Sequence, residues 1–123
     1  MLRLIIAGSR SFDDYAFLKA SLDEFVAYHS LGDPDPGVLI ISGMAKGADL
    51  LGVSYATERG YGVAKFPADW SKGRSAGPQR NREMAKSANA CIVFWDGKSK
   101  GTASMISLAK QHQLKLKVIY YDG

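Results

Sequence analysis

The stretch "ACIVFWDGKSKGTASM", Ala90 to Met105, decides the fold. Its first five residues (90–94) are an unbroken apolar run. Unbroken rather than alternating hydrophobicity marks a strand covered on both faces, as in a parallel sheet. The run ends in a turn at Asp96 and Gly97, picks up Lys98 and Lys100, and enters a helical pattern at Gly101-Thr102 that continues to about His112. A buried strand, a glycine turn and a helix are half of a β-α-β unit.

Reading outward, four more apolar runs fall at 2–7, 38–42, 62–66 and 116–121. The last alternates more than the others, which suits an edge strand. Helical patterns separate them. Tyr15, Leu18, Leu22, Phe25, Val26 and His29 share one stripe. Ala48, Leu51, Tyr55 and Ala56 share another, closed by Gly60 as a C-terminal glycine. A third helix is predicted from about Pro78 to Ser87 and a fourth from about Thr102 to His112. Strand–helix alternation with short connections predicts right-handed crossovers. The expected fold is α/β: a three-layer Rossmann-like sandwich on a five-stranded, mainly parallel sheet of order 3-2-1-4-5.

The 123 residues suffice for one domain, with 46% apolar and 23% charged residues, the balance of a globular chain. No apolar run reaches the roughly 20 residues that span a bilayer. The start "MLRLIIAGSR" reads as a first strand and not as a signal peptide, so no membrane partner and a cytoplasmic location are expected. The lone Cys91 sits in an apolar run and reads as a small core residue. A net charge of +4 favours an anionic partner, a phosphate-bearing small molecule or nucleic acid, although scattered lysines also serve solubility. His29 and His112 lie at helix ends, and no carboxylate pair has ligand spacing, so neither metal nor cofactor is expected.

In such a sheet ligands bind beyond the carboxyl ends of the strands, and the connections there are chemically loaded. Gly8, Ser9 and Arg10 follow the first strand, giving a tight turn, a hydroxyl and a bidentate phosphate grip. "SGMAKGAD" (42–49) follows the second. Its Gly43 and Gly47 flank a turn into a helix N-terminus, with neither Walker nor dinucleotide spacing. Asp49 there is either a carboxylate favoured by the helix dipole or a partner for a sugar hydroxyl or a neighbouring loop. The long loop 67–77 carries Trp70, Lys72 and Arg74; Trp70 either stacks on a base or plugs the core or a subunit interface. "PQRNREM" opens the third helix, with Arg80 and Glu83 on one face beside Asn81. Gly97, Lys98, Ser99, Gly101 and Thr102 complete the edge as a phosphate-binding turn.

Taken together, "GSR", "SGMAKGAD", "FPADW", "AGPQRNREM" and "WDGKSKGT" resemble the YspA-like branch of the SLOG superfamily, Rossmann-like domains related to the LOG and DNA-processing-protein-A families. These stretches run in order from Gly8 to Thr102. The resemblance implies a single SLOG-like nucleotide-binding domain over residues 1–123. It also implies a ligand derived from nucleotides, NAD and ADP-ribose included, and leaves room for a homodimer. LOG enzymes, which release a base from a nucleoside monophosphate, carry P-G-G-x-G-T-x-x-E. Gly101 and Thr102 match its G-T, Gly97 corresponds approximately to an earlier glycine, and Arg80, ahead of Arg82, is the candidate counterpart of the family's helical arginine. Met105 stands where that signature has Glu, and a thioether cannot stabilise an oxocarbenium-like centre.

The expected function is therefore a domain that senses or sequesters a nucleotide-like ligand. An N-glycosidase or phosphohydrolase is the alternative, with Glu83, Asp49 and Arg80 as its candidate catalytic residues. A single-stranded nucleic-acid binder is a third reading. The absence of a continuous basic and aromatic stripe counts against it.

Overall fold

In a computed structural model that describes residues 1–122, every apolar run becomes a strand. The order along the chain is β1 (Leu2–Gly8), α1 (Tyr15–Ser30), β2 (Val38–Ser42), α2 (Ala48–Arg59), β3 (Gly62–Lys65), a 3-10 turn (Trp70–Lys72), α3 (Ala76–Ser87), β4 (Ala90–Trp95), α4 (Lys100–Gln111) and β5 (Lys115–Tyr120). The five strands form one sheet in the order β3-β2-β1-β4-β5, and every pairing is parallel. β5 is an edge strand, yet it too runs parallel to its neighbour β4.

Side chains alternate across a strand, and that alternation builds two cores. Leu4 and Ile6 of β1 meet Leu18, Leu22 and Phe25 of α1 and Tyr55 and Ala56 of α2 on one face. Ile5 and Ala7 meet Met84 and Ala85 of α3 and Met105, Ile106 and Ala109 of α4 on the other. β1 and β4 are buried almost throughout, which is why their sequences lack alternation. Cys91 belongs to the second core and is fully buried. No helix among the described residues is long and apolar enough to cross a membrane.

Two helices begin earlier than expected, for local reasons. α4 starts at Lys100 rather than Thr102 because Ser99 caps it: the Ser99 hydroxyl accepts the N–H of Thr102 at 3.4 Å. α3 starts at Ala76, so Pro78 is its third residue. First-turn positions need no N–H, and proline is tolerated there as at the opening residue. α2 ends as predicted, on Gly60 in the left-handed conformation.

The crossing from β1 to β4 reverses the direction in which the sheet is wound. Gly8 pairs with Phe94 at that crossing. A Cβ on Gly8 would lie 2.3 Å from the Phe94 carbonyl oxygen, so only glycine lets the two strand ends close on each other. Gly47 is required by both conformation and contact, with φ of +94° and a built Cβ 2.5 Å from the Ser9 carbonyl. It presses the loop after β2 onto the loop after β1.

Candidate functional site

Four connections meet at the carboxyl edge, and hydrogen bonds between them fix the site. The loop after β1 is joined once to β4 and once to the turn beyond it. The Ser9 N–H donates to the Phe94 carbonyl at 2.9 Å, and the Ser9 hydroxyl accepts the Asp96 N–H at 3.2 Å. Ser9 is buried by this stitching. Arg10, the next residue, is exposed, and no ion pair or hydrogen bond to its side chain occurs among the described residues.

The loop after β2 folds around Asp49. The Ser42 hydroxyl donates to the Asp49 carbonyl at 3.2 Å and accepts the Met44 N–H at 3.1 Å. The Ala45 N–H donates to the Asp49 carboxylate at 3.3 Å. Asp49 thus bonds to its own loop while only 5% exposed. Burial pushes its carboxyl up to about 6; the Ala45 N–H and the Arg80 charge oppose the shift without cancelling it.

Arg80 reaches this loop from α3. Its Nη1 donates to the Gly43 carbonyl at 2.6 Å and to the Phe66 carbonyl at 3.4 Å, and its Nε donates to Asn81 Oδ1 at 2.9 Å. Asn81 passes the link on through Nδ2 to the Gly101 carbonyl at 3.4 Å. One pair of side chains therefore ties α3 to the loops after β2 and β3 and to the start of α4. Burial works against the Arg80 charge, and Arg10 nearby adds to that, while Asp49 supports it.

The turn into α4 is built on Asp96, whose carboxylate accepts the N–H groups of Lys98 and Ser99, each at 2.9 Å. Those bonds hold the Asp96 carboxyl below its ordinary range. Gly97 (φ +79°) and Lys98 form the outer, exposed part of this turn and do not line the cavity. Ser99, Gly101 and Thr102 do line it. With Ser99 spent on the Thr102 N–H, the N–H groups of Lys100 and Gly101 are the donors that the first turn leaves open.

The resulting crevice has a volume of about 300 Å³ between the ends of β1 and β4, at the low end of small-molecule sites. Gly8, Arg10 and Asp49 contribute from one side, Arg80 and Asn81 from α3, and the start of α4 from the other. Met84 and Met105, both buried, give it an apolar floor. Trp70 stands at the rim and is 54% exposed, so it is no core plug. Its ring lies over Gly77, 3.0 Å from where a Cβ would sit. Glu83 is elsewhere: it is exposed and lines a shallow groove with Phe66, Asp69, Lys72 and Gln79 on the outer side of Arg80. Asp49 and Glu83 share no cavity, and no other carboxylate lines the crevice among the described residues.

Sequence reasoning named Lys100 for its charge but did not single out Gly77 or Met84, which line this crevice, or Lys46, which lines the adjoining cavity. Lys46 had a usable signal, as the one charged residue between Gly43 and Gly47. Met84 had none, since its approach to the crevice depends on how α3 docks.

A sequence model of the YspA, cpYpsA-related SLOG family matches residues 2–73, from β1 through the 3-10 turn. Arg80, Gly101 and Thr102 lie beyond the matched residues. No curated protein sequence matches the chain. Among solved structures, DNA processing protein A from Helicobacter pylori matches 95% of this chain with a TM-score of 0.66 and 21% sequence identity. This chain spans 64% of that protein's chain, and at such identity the likeness is one of fold.

Proposed function

This chain belongs to the YspA, cpYpsA-related SLOG family, and from that premise we propose that it binds a phosphate-bearing nucleotide or nucleotide-derived ligand in the crevice at the carboxyl edge, as a sensing or sequestering domain. The observation that carries the reading is convergence: Arg10, Arg80 and the open N–H groups at the start of α4 all border one crevice at the point where the sheet's winding reverses. The first turn of α4 and the two guanidinium groups attract a phosphoryl group. Trp70 at the rim offers a face to a base, and the methionine floor offers apolar contact to base or ribose.

Binding without hydrolysis fits the residues best. Met105 is a floor residue and supplies no acid, Glu83 lies outside, and Asp49 is engaged by the Ala45 N–H. An N-glycosidase would have to rest on Asp49 alone. Phosphorus NMR of AMP titrated with the protein tests the reading. The phosphate resonance should shift or broaden with the native chain and not with the Arg10→Ala, Arg80→Ala double variant. An AMP signal unaffected by the native chain contradicts it.

One observation favours a second reading. The published structure of DNA processing protein A from Helicobacter pylori describes a single-stranded DNA binding mode. The exposed Trp70 is the kind of residue on which an unpaired base stacks. That reading requires affinity for an oligonucleotide to fall steeply with salt, because each phosphate contact releases counterions.

A further inference from the structure

The crevice does not end at Arg80. A second lobe of about 230 Å³ adjoins it, and the two share Arg10, Ala45, Trp70 and Arg80 as common walls. The remaining walls of the second lobe are Gly43, Met44, Lys46, Pro67 and Ala68. The lobes differ in chemistry. The first has the methionine floor and Asp49; the second has three cationic side chains, Arg10, Lys46 and Arg80, and among the described residues no carboxylate lines it.

Three like charges around one small cavity repel one another unless something neutralises them. At Arg80 burial works against the charge and Arg10 adds to that, while Asp49, which lines the first lobe only, supports it. Lys46 is exposed, and no ion pair or side-chain hydrogen bond involves it among the described residues. The wall carries a conformational penalty as well. Met44 holds φ at +63°, a left-handed conformation for a residue that is not glycine, fixed by its N–H bond to the Ser42 hydroxyl. Backbone held in sparsely populated regions clusters at ligand clamps. Three cations with no carboxylate lining the same lobe, and a strained wall, therefore meet in one place.

We propose that the second lobe is a site for a second phosphoryl group, so that the preferred ligand is a nucleotide carrying two phosphoryl groups rather than a nucleoside monophosphate. This rests on the nucleotide-binding reading above. The base or ribose occupies the apolar crevice, one phosphoryl group faces the start of α4, and the other lies among Arg10, Lys46 and Arg80. The two groups come either as a bridged pyrophosphate, as in ADP-ribose, or as separate esters, as in adenosine 3′,5′-bisphosphate.

Titration calorimetry with AMP, ADP-ribose and adenosine 3′,5′-bisphosphate tests this on the native chain, on Lys46→Ala and on a control, Lys110→Ala, at an exposed position on α4 away from both lobes. At least one two-phosphoryl ligand should bind about tenfold or more tightly than AMP, the size of one charge-assisted contact. Which of the two gains more identifies the bridged or separate arrangement. Lys46→Ala should remove most of that advantage while leaving AMP within about twofold of the native value, and Lys110→Ala should change nothing. Two-phosphoryl ligands that bind no tighter than AMP overturn the proposal. So does a Lys46→Ala variant that weakens all three ligands equally. If AMP binds and only the advantage is missing, the nucleotide reading survives; if none of the three binds, both fall together.

Discussion

The guanidinium of Arg80 donates to the carbonyl of Gly43 at 2.6 Å, so that α3 is fastened across the crevice to the loop after β2. The same side chain touches the carbonyl of Phe66 and orients Asn81, which holds the start of α4. Arg80 is therefore both a wall of the crevice and the strut that keeps its walls at their distance.

This dual role gives the first prediction. Arg80→Ala leaves the Gly43 carbonyl without its charged donor and should lower unfolding free energy by about 1–3 kcal/mol. Arg80→Lys keeps the charge but not the planar fork, so it should recover part of the nucleotide affinity and little of the stability. Urea denaturation and nucleotide titration on both variants check this.

Asp49 gives the second. Its folded-state carboxyl titrates near 6, above the 3.8 of an ordinary aspartate. A raised acid favours the protonated folded state. Its contribution to stability is full below pH 3.8 and is lost as the pH rises through 6. The shift of about two units corresponds to roughly 3 kcal/mol between those limits. Relative to Asp49→Asn, the native chain should lose up to that amount between pH 4 and pH 7.5, read from denaturation midpoints. A pH-independent difference between the two would show that burial does not raise the Asp49 carboxyl.

Legibility from sequence followed the range of the interactions. The strands were readable because burial on both faces leaves unbroken runs such as "ACIVF", and each such run became a strand. Gly60 was readable because a left-handed helix end is a local demand. The start of α4 was misplaced by two residues because Thr102 looks like an opening residue until Ser99 is seen capping it. Burial of Asp49 was not readable at all. It follows from α2 docking on β1 and from Arg80 arriving from α3, and a local pattern encodes neither. Arg80 and Glu83 do share a face, as their spacing requires. The arginine is long enough to reach inward, whereas Glu83 stays on the outer groove.

Trp70 supplies the third prediction. It is half exposed on a three-residue 3-10 turn and packs over Gly77. If it covers the base, Trp70→Ala should weaken nucleotide binding by roughly 1–3 kcal/mol, the range of an aromatic–base stack. Stability should change by no more than about 0.5 kcal/mol, as for surface substitutions. Fluorescence quenching on ligand addition should vanish in Trp70→Phe and persist in Trp95→Phe, since Trp95 turns its Nε1 to the Ser99 carbonyl and is outside the cavity lining.

Gly8 supplies a fourth, which concerns the scaffold. Gly8→Ala places a Cβ 2.3 Å from the Phe94 carbonyl oxygen, and backbone on a central strand cannot give way cheaply. The expected loss exceeds about 2 kcal/mol, comparable to overpacking a core. A melting temperature close to the native one would mean that β1 and β4 do not approach as described.

The central claim is that the crevice binds a phosphate-bearing nucleotide and leaves it intact. The most direct measurement is a thermal melt with AMP, ATP, NAD, ADP-ribose and cyclic ADP-ribose, with chromatography of the same samples. A ligand at 100 times its dissociation constant adds about 2.7 kcal/mol to the native state. The account predicts a raised melting temperature for at least one of these compounds, with that compound recovered unchanged. No shift with any of them contradicts nucleotide binding, and free base or ribose phosphate in the samples contradicts binding without hydrolysis.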